Sequence, residues 1–275
     1  MEAQTDPEPS PTLRCKYLFA GAERSSDFEA ALAQVWRELD LKGHFEVESI
    51  DLLRGGAGHD LSNALLRESH LAQIKDPIGA PDVVIVTPLC NGHSRAKFAN
   101  RRCPPPTRSA RWPRGYPWLE GKARAEAEMQ NDLIDSSFDA LEAAAESSSR
   151  LASTGSWRRV RALLEHPEDL GSPALGDPAS IWQLSRARSL SDRGFGTGAV
   201  FACALADVDR TKPYRFMSDI PGVLDLLHLG WPSFVQTSTQ ERKYIGPLPR
   251  LCEHGGHPPL ERQAHDKEFR TNGTA

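Results

Sequence analysis

No stretch of this sequence approaches the roughly 18 consecutive apolar residues of a membrane-spanning helix, which excludes one. The N-terminal MEAQTDPEPSPTLR has no apolar block of the kind that starts a secretory signal. It is acidic and Pro-rich, and residues 1–13 read as a disordered leader. Cysteine is sparse: Cys15, Cys90, Cys103, Cys203 and Cys252 are odd in number and far apart. That disfavours a disulfide framework and favours a reducing, intracellular setting, nuclear or cytoplasmic. No internal repeat is visible. Apolar residues reach only 39%, with 25% charged, which still excludes a wholly disordered chain. Glycine and proline, 21 each, point to long loops.

The net charge of −4 argues against a generic nucleic-acid coat, but the charge is sorted along the chain. Between Arg95 and Arg124 stand nine Lys/Arg (Arg95, Lys97, Arg101, Arg102, Arg108, Arg111, Arg114, Lys122, Arg124) against one acid, Glu120. Ala125 to Glu146 then holds seven acids and no Lys or Arg. Pro104, Pro105, Pro106, Pro113 and Pro117 bar a long helix from the basic stretch. The acidic one reads as an amphipathic helix over Glu126 to Ala145, its acids on a solvated face.

Apolar patterning predicts strands at Lys16–Ala20, Phe45–Asp51, Pro81–Thr87, Arg159–Leu164 and Val200–Leu205. Helices are expected over Phe28–Leu41, with Ser26 or Asp27 as cap, and over Asn63–Lys75. Arg54–Gly58 reads as a Gly-rich loop, Ser147–Gly155 as a linker, and Lys243 onward as loop. Alternating strands and helices define an α/β fold, a Rossmann-like parallel sheet with helices on both faces. It is expected over 14–205, with 95–124 a basic Pro-rich loop and 206–275 an irregular C-terminal region.

Ligands of such sheets bind beyond the carboxyl ends of the strands. The residues expected there are Gly21, Asp51, Pro88 to Cys90, and Glu165. A cysteine on such a loop becomes a nucleophile when its thiolate is favoured, and His93, Arg95 and Lys97 lie close in sequence. The alternative reading of Cys90 is a half-buried structural cysteine. Asp51 reads as a ribose ligand or a turn-forming Asp, and Glu165 as a proton donor or a solvated turn residue.

Taken in order, these strand ends resemble the S-adenosylmethionine-dependent DNA cytosine-5 methyltransferases over roughly residues 16–170. Leu18-Phe19-Ala20-Gly21 is similar to the family's first turn, Asp51 to its acid after the second strand, and Asp60 to the Asp that follows. Pro88-Leu89-Cys90-Asn-Gly-His-Ser94 keeps the Pro, Cys and Ser of the catalytic loop. Glu165-His166-Pro167 is similar to the family's Glu-Asn-Val or Glu-Asn-Pro. A second Gly in the first turn is absent, Leu89 stands for Pro, His166 for Asn, and no Gln-x-Arg-x-Arg occurs. The overall pattern also suggests a piece of a mobile-element polyprotein.

The resemblance implies that Phe19, Gly21, Asp51, Asp60 and Pro88 surround S-adenosylmethionine. Cys90, Glu165 and Ser94 would be catalytic. A thiolate adding to carbon 6 of cytosine makes carbon 5 able to accept a methyl group, and an acid near ring nitrogen 3 stabilises the developing charge. The base must be flipped out of its stack, DNA being the expected partner ahead of RNA. Arg95, Lys97, Arg101, Arg102, Arg108, Arg111 and Arg114 would contact phosphates, and Trp112, Tyr116 and Trp118 could stack on bases. The alternative is an inactive nucleic-acid-binding descendant of the fold. Cys252, His254 and His257, with Cys203 or His265, are metal-ligand types, but their spacing fits no zinc motif, so no metal is expected.

Overall fold

The computed structural model describes residues 11–93, 95–98, 104–156, 158–173, 175–205, 212–238 and 241–249. The chain divides into two compact units. One comprises the described residues up to Val86 with Ala143–Arg161; the other comprises Thr87–Glu142 with those from Ala162 onward. The span 14–205 contributes to both. The class is α/β, as expected.

In the first unit three strands, β1 (Thr12–Leu18), β2 (His44–Ile50) and β3 (Val83–Val86), form a parallel array in the order β2-β1-β3. Parallel neighbours need crossovers, and α1 (Phe28–Glu38) and α3 (Ala64–Ile74) supply them. Asp27 caps α1 by accepting the Ala30 N–H, and Asn63 caps α3 by accepting that of Leu65. Val84, Ile85 and Val86 are consecutive and buried, so β3 is covered on both faces, as its unbroken apolar run requires. On β2 the exposed His44, Glu46 and Glu48 alternate with more buried residues. The expected Gly-rich loop is instead a short helix, α2 (Leu52–Gly55), and a 3₁₀ turn (Gly56–His59), because Asp51 caps it. Lys16 is buried on β1 and satisfied by Glu48, Gln73 Oε1 at 2.6 Å and His70 Nδ1 at 3.4 Å.

The helix α4 (Gly121–Ser153) contributes to both units and continues through the expected linker. The reason lies in two serines. Ser147 Oγ donates to the Ile74 carbonyl, and Ser148 Oγ donates to Val160 C=O and accepts from Val160 N–H. Serine reads as loop-forming because its hydroxyl competes with the backbone; here one hydroxyl bonds the last residue of α3 and the other the residue just before Arg161.

In the second unit the strands are antiparallel, a departure from the all-parallel expectation. Strands β4 (Arg161–Pro167), β5 (Gly196–Phe201), β6 (Pro213–Ser218) and β7 (His228–Leu229) run in the order β4-β6-β5-β7. The predicted strand at Val200–Leu205 is shifted: β5 ends at Phe201 and α6 (Ala202–Leu205) follows. Helices α5 (Ser185–Asp192) and α7 (Pro221–Leu224) and a hairpin of β8 (Ser233–Ser238) and β9 (Glu241–Gly246) complete the unit. Its core includes Phe138, Leu141, Leu164, Ile181, Trp182 and Met217.

Candidate functional site

At the carboxyl edge of the parallel strands the sequence-predicted Gly21 and Asp51 meet. Ala20 N–H donates to Ile50 C=O at 3.2 Å, and Gly21 N–H to Asp51 Oδ2 at 3.0 Å. The other Asp51 oxygen accepts the Leu53 N–H at 2.9 Å. Phe19 and Gly21 both take left-handed backbone, φ 62° and 72°. A Cβ on Gly21 would meet nothing closer than Arg24 at 3.7 Å, so the backbone conformation and not crowding calls for glycine. Arg54 braces the turn, donating to Gly21 C=O at 2.8 Å and to Asp27 at 2.7 Å, and its hydrogen bond holds the Asp27 carboxyl below its usual range. Asp51 is half-exposed, and each carboxylate oxygen keeps a lone pair beyond the backbone N–H that it accepts. Asp60 serves its own turn by accepting the Ser62 N–H at 2.9 Å, and Ser62 holds its carboxyl low.

In the second unit Pro88 is buried, Leu89 exposed and Cys90 half-buried. The Cys90 carbonyl accepts His93 N–H at 2.9 Å, closing a 3₁₀ turn over Asn91–His93. This loop lies tightly on α4. A Cβ on Gly92 would fall 1.9 Å from Gln130 Oε1, and Gln130 also bonds Asn91 at 3.1 Å. Ser94, Arg101 and Arg102 lie outside the described residues.

Glu165 sits inside β4, opposite Phe216, and not beyond the strand end as expected. The strand was expected to stop before Pro167, but proline is tolerated as a terminal strand residue, and β4 pairs as far as Pro167–Tyr214. Alternation then places Glu165 and His166 on opposite faces of β4. It is His166 that meets the Cys90 loop, its ring edge-on to His93 with centroids 5.7 Å apart. His166 is fully buried, and neither ring nitrogen has a hydrogen-bond partner among the described residues. Burial, reinforced by Lys212, pushes its pKa down to about 3. His93 is held neutral in the same way, well below its usual value, by burial and then by Arg108. A small cavity of about 30 Å³ adjoins them, lined by His93, Arg95, His166, Glu168, Asp169 and Ser180.

Arg108, expected on a phosphate, is fully buried instead. Its guanidinium donates to Asn131 Oδ1 (2.9 Å), Ala127 C=O (3.1 Å), Gln130 Oε1 (3.1 Å) and Pro113 C=O (3.3 Å) and contacts His93 Nε2 at 3.1 Å. Desolvation pulls its pKa down to about 10. The fork matches acceptors on α4 and in the loop, which a basic run in sequence cannot reveal. The basic segment is thus bound to the acidic helix. Arg114 forms a bidentate pair with Asp135 at 2.8 Å, and Arg186 of α5 reaches Asp139 at 2.6 Å and Glu142 at 3.0 Å, so the acidic face is partly paired. Arg95 and Lys97 are half-buried and Arg111 is exposed.

The sequence reading missed a second polar cluster. Glu168 and Arg215 are both fully buried and paired, with Tyr244 donating to Glu168 at 2.8 Å. Burial pushes the Glu168 carboxyl up against the pull of Arg215. Arg242 of β9 pairs with Asp169 and Asp177. The dense Glu-His-Pro-Glu-Asp run was the signal available for this cluster. Cys252, His254 and His257 lie outside the described residues, and among those described no group of three or more His, Cys, Asp or Glu is placed to hold a metal. Nor is any described helix long and apolar enough to cross a membrane. No family profile, curated protein or solved structure matches the chain.

Proposed function

We propose that this chain is an S-adenosylmethionine-dependent methyltransferase acting on carbon 5 of cytosine in nucleic acid. The observation that carries the reading is the Gly21–Asp51 pair at the carboxyl edge of β2-β1-β3, where α/β sheets bind nucleotide-like ligands. The cofactor, when bound, supplies an electrophilic methyl group. Asp51 accepts the ribose hydroxyls, and Phe19, Gly21 and Asp60 of the same unit are the other candidate contacts. In this reading Cys90, as thiolate, would add to carbon 6 of the base and an acid would protonate ring nitrogen 3, leaving carbon 5 nucleophilic; the resemblance names Glu165 as that acid, and it would have to reach the base from the other face of β4. After methyl transfer to carbon 5, water would take the carbon-5 proton as the thiolate leaves carbon 6, and ring nitrogen 3 would return its proton to the acid. Arg95, Lys97 and Arg111 are the described candidates for phosphate contact.

A second reading, a nucleic-acid-binding module without catalysis, is favoured by two observations. Both Asp51 oxygens already hold a backbone N–H, and His166, not Glu165, lies on the face of β4 that meets the Cys90 loop. Titration calorimetry with S-adenosylmethionine separates the two. The methyltransferase reading expects micromolar binding that Asp51→Ala abolishes, and a Cys90→Ser variant that binds cofactor but transfers no methyl to nucleic acid. Absence of binding at millimolar cofactor leaves the second reading.

A further inference from the structure

The segment Pro104–Glu120 gathers three large rings, of which Trp112 and Trp118 are exposed and Tyr116 is half-buried. Tyr116 and Trp118 stack with centroids 4.7 Å apart and planes 7° from parallel, and Trp112 stands edge-on to Trp118 at 6.5 Å. Trp118 is 65% exposed and Trp112 37%. The Arg111 guanidinium lies over the Trp112 ring at 5.5 Å.

This display is built. Ser109 and Trp112 exchange backbone hydrogen bonds, Tyr116 N–H donates to Thr107 C=O at 2.9 Å, and Leu119 N–H donates to Tyr116 C=O at 3.1 Å. Buried Arg108 ties the loop to Ala127, Gln130 and Asn131 of α4, and Asn131 Nδ2 donates to Arg114 C=O at 2.7 Å. A loop free to rearrange would fold such rings inward, since leaving apolar area in water is unfavourable.

We propose that Trp112, Tyr116 and Trp118 form a stacking platform for the bases of single-stranded nucleic acid, with Arg111 beside it for the backbone phosphate. The inference rests on nucleic acid being the partner, and not on methyl transfer. Three points favour a single strand. A ring face recognises another ring face, and in a duplex the base faces are hidden except at the ends. Trp118 is already stacked on Tyr116, so it is not a lone wedge for insertion between base pairs. The segment also carries little free charge for gripping a duplex: Arg108 is buried and Arg114 is paired with Asp135. A Pro-rich peptide is the other partner that aromatic surfaces take, but it has no use for Arg111.

The test is fluorescence anisotropy on the full chain without cofactor. The probes are a mixed-sequence 12-nucleotide DNA strand, its RNA counterpart, the blunt DNA duplex and a Pro-rich peptide. Expected is binding of one or both single strands at least tenfold tighter than the duplex. Trp118→Ala should lose about tenfold or more, from the value of one base–aromatic stack. Trp118→Phe should keep part of it, and Arg111→Ala should weaken binding at low salt and much less at high salt. Circular dichroism confirms that the variants are folded, as expected for exposed side chains. Equal or tighter binding of the duplex, no effect of Trp118→Ala, or binding of the peptide alone overturns the platform. Duplex binding without single-strand binding would leave the nucleic-acid partner standing, and binding of no nucleic acid would remove both.

Discussion

Arg108 is a buried cation whose hydrogen-bond partners are neutral: two side-chain amides, two backbone carbonyls and a neutral histidine. Removing it strands those acceptors without returning water to them. Arg108→Ala should therefore destabilise the chain by about 3 kcal/mol in urea unfolding, and Arg108→Lys should restore little, because an ammonium cannot span the fork. His166 makes a pH prediction. Its pKa is about 3 when folded, against an ordinary value of 6.5. Below pH 6.5 the unfolded chain therefore takes up a proton that the folded chain refuses. Its contribution to stability is complete above 6.5 and is lost as pH falls from there toward 3. The slope reaches about 1.4 kcal/mol per pH unit for each such histidine, and His93 adds in the same direction. Melting temperatures from pH 8 to 4 should fall accordingly, and His166→Phe should flatten that fall by one proton's share.

At the scale of elements, two junctions are most sensitive. The last turns of α4 depend on Ser148, which is both donor and acceptor for the Val160 backbone. Ser148→Ala leaves a buried N–H and C=O unsatisfied and should cost about 1–3 kcal/mol, read from the urea midpoint. The stretch after β4 depends on Gly171, which has φ 74° and bridges to Lys243 of β9. A Cβ there would lie 2.2 Å from the Arg242 carbonyl oxygen, so backbone must move. Gly171→Ala should lower the melting temperature by more than Ser148→Ala, with the Arg242 pairs to Asp169 and Asp177 disturbed. The Pro-rich loop shows how an element without regular structure is made rigid. Its backbone bonds within itself and to Asp177, and the fully buried Arg108 fastens it to α4.

For the molecule as a whole, a cofactor that binds only the folded chain must raise its stability by mass action, about 2.7 kcal/mol at a hundredfold excess over Kd. On the proposed function, saturating S-adenosylmethionine should raise the melting temperature by several degrees in wild type and not in Asp51→Ala. The net charge of −4 conceals a division of labour. Basic residues in the Pro-rich segment and on α5 face acids of α4, so part of the charge sorting serves folding. Arg111 stands outside that pairing beside the exposed rings.

The sequence by itself determined the elements whose signals are local. These are the unbroken Val-Val-Ile-Val strand, the start of α1 at Ser26 or Asp27, the amphipathic core of α4, and the placement of Gly21 and Asp51 just after the first two strands. Such features follow from side-chain period and from hydrogen bonds spanning a few residues or adjacent parallel strands. Tertiary structure alone decided the rest. Whether β4 stops at Leu164 or runs to Pro167 depends on β6, fifty residues later in the chain, and that choice moved Glu165 into the strand and turned His166 toward His93. Whether Ser147 and Ser148 break a helix depends on Ile74 and Val160. Whether Arg108 is a surface charge or a buried anchor depends on acceptors on α4. In each case a polar group's role is set by the partner that replaces water, and that partner is distant in sequence.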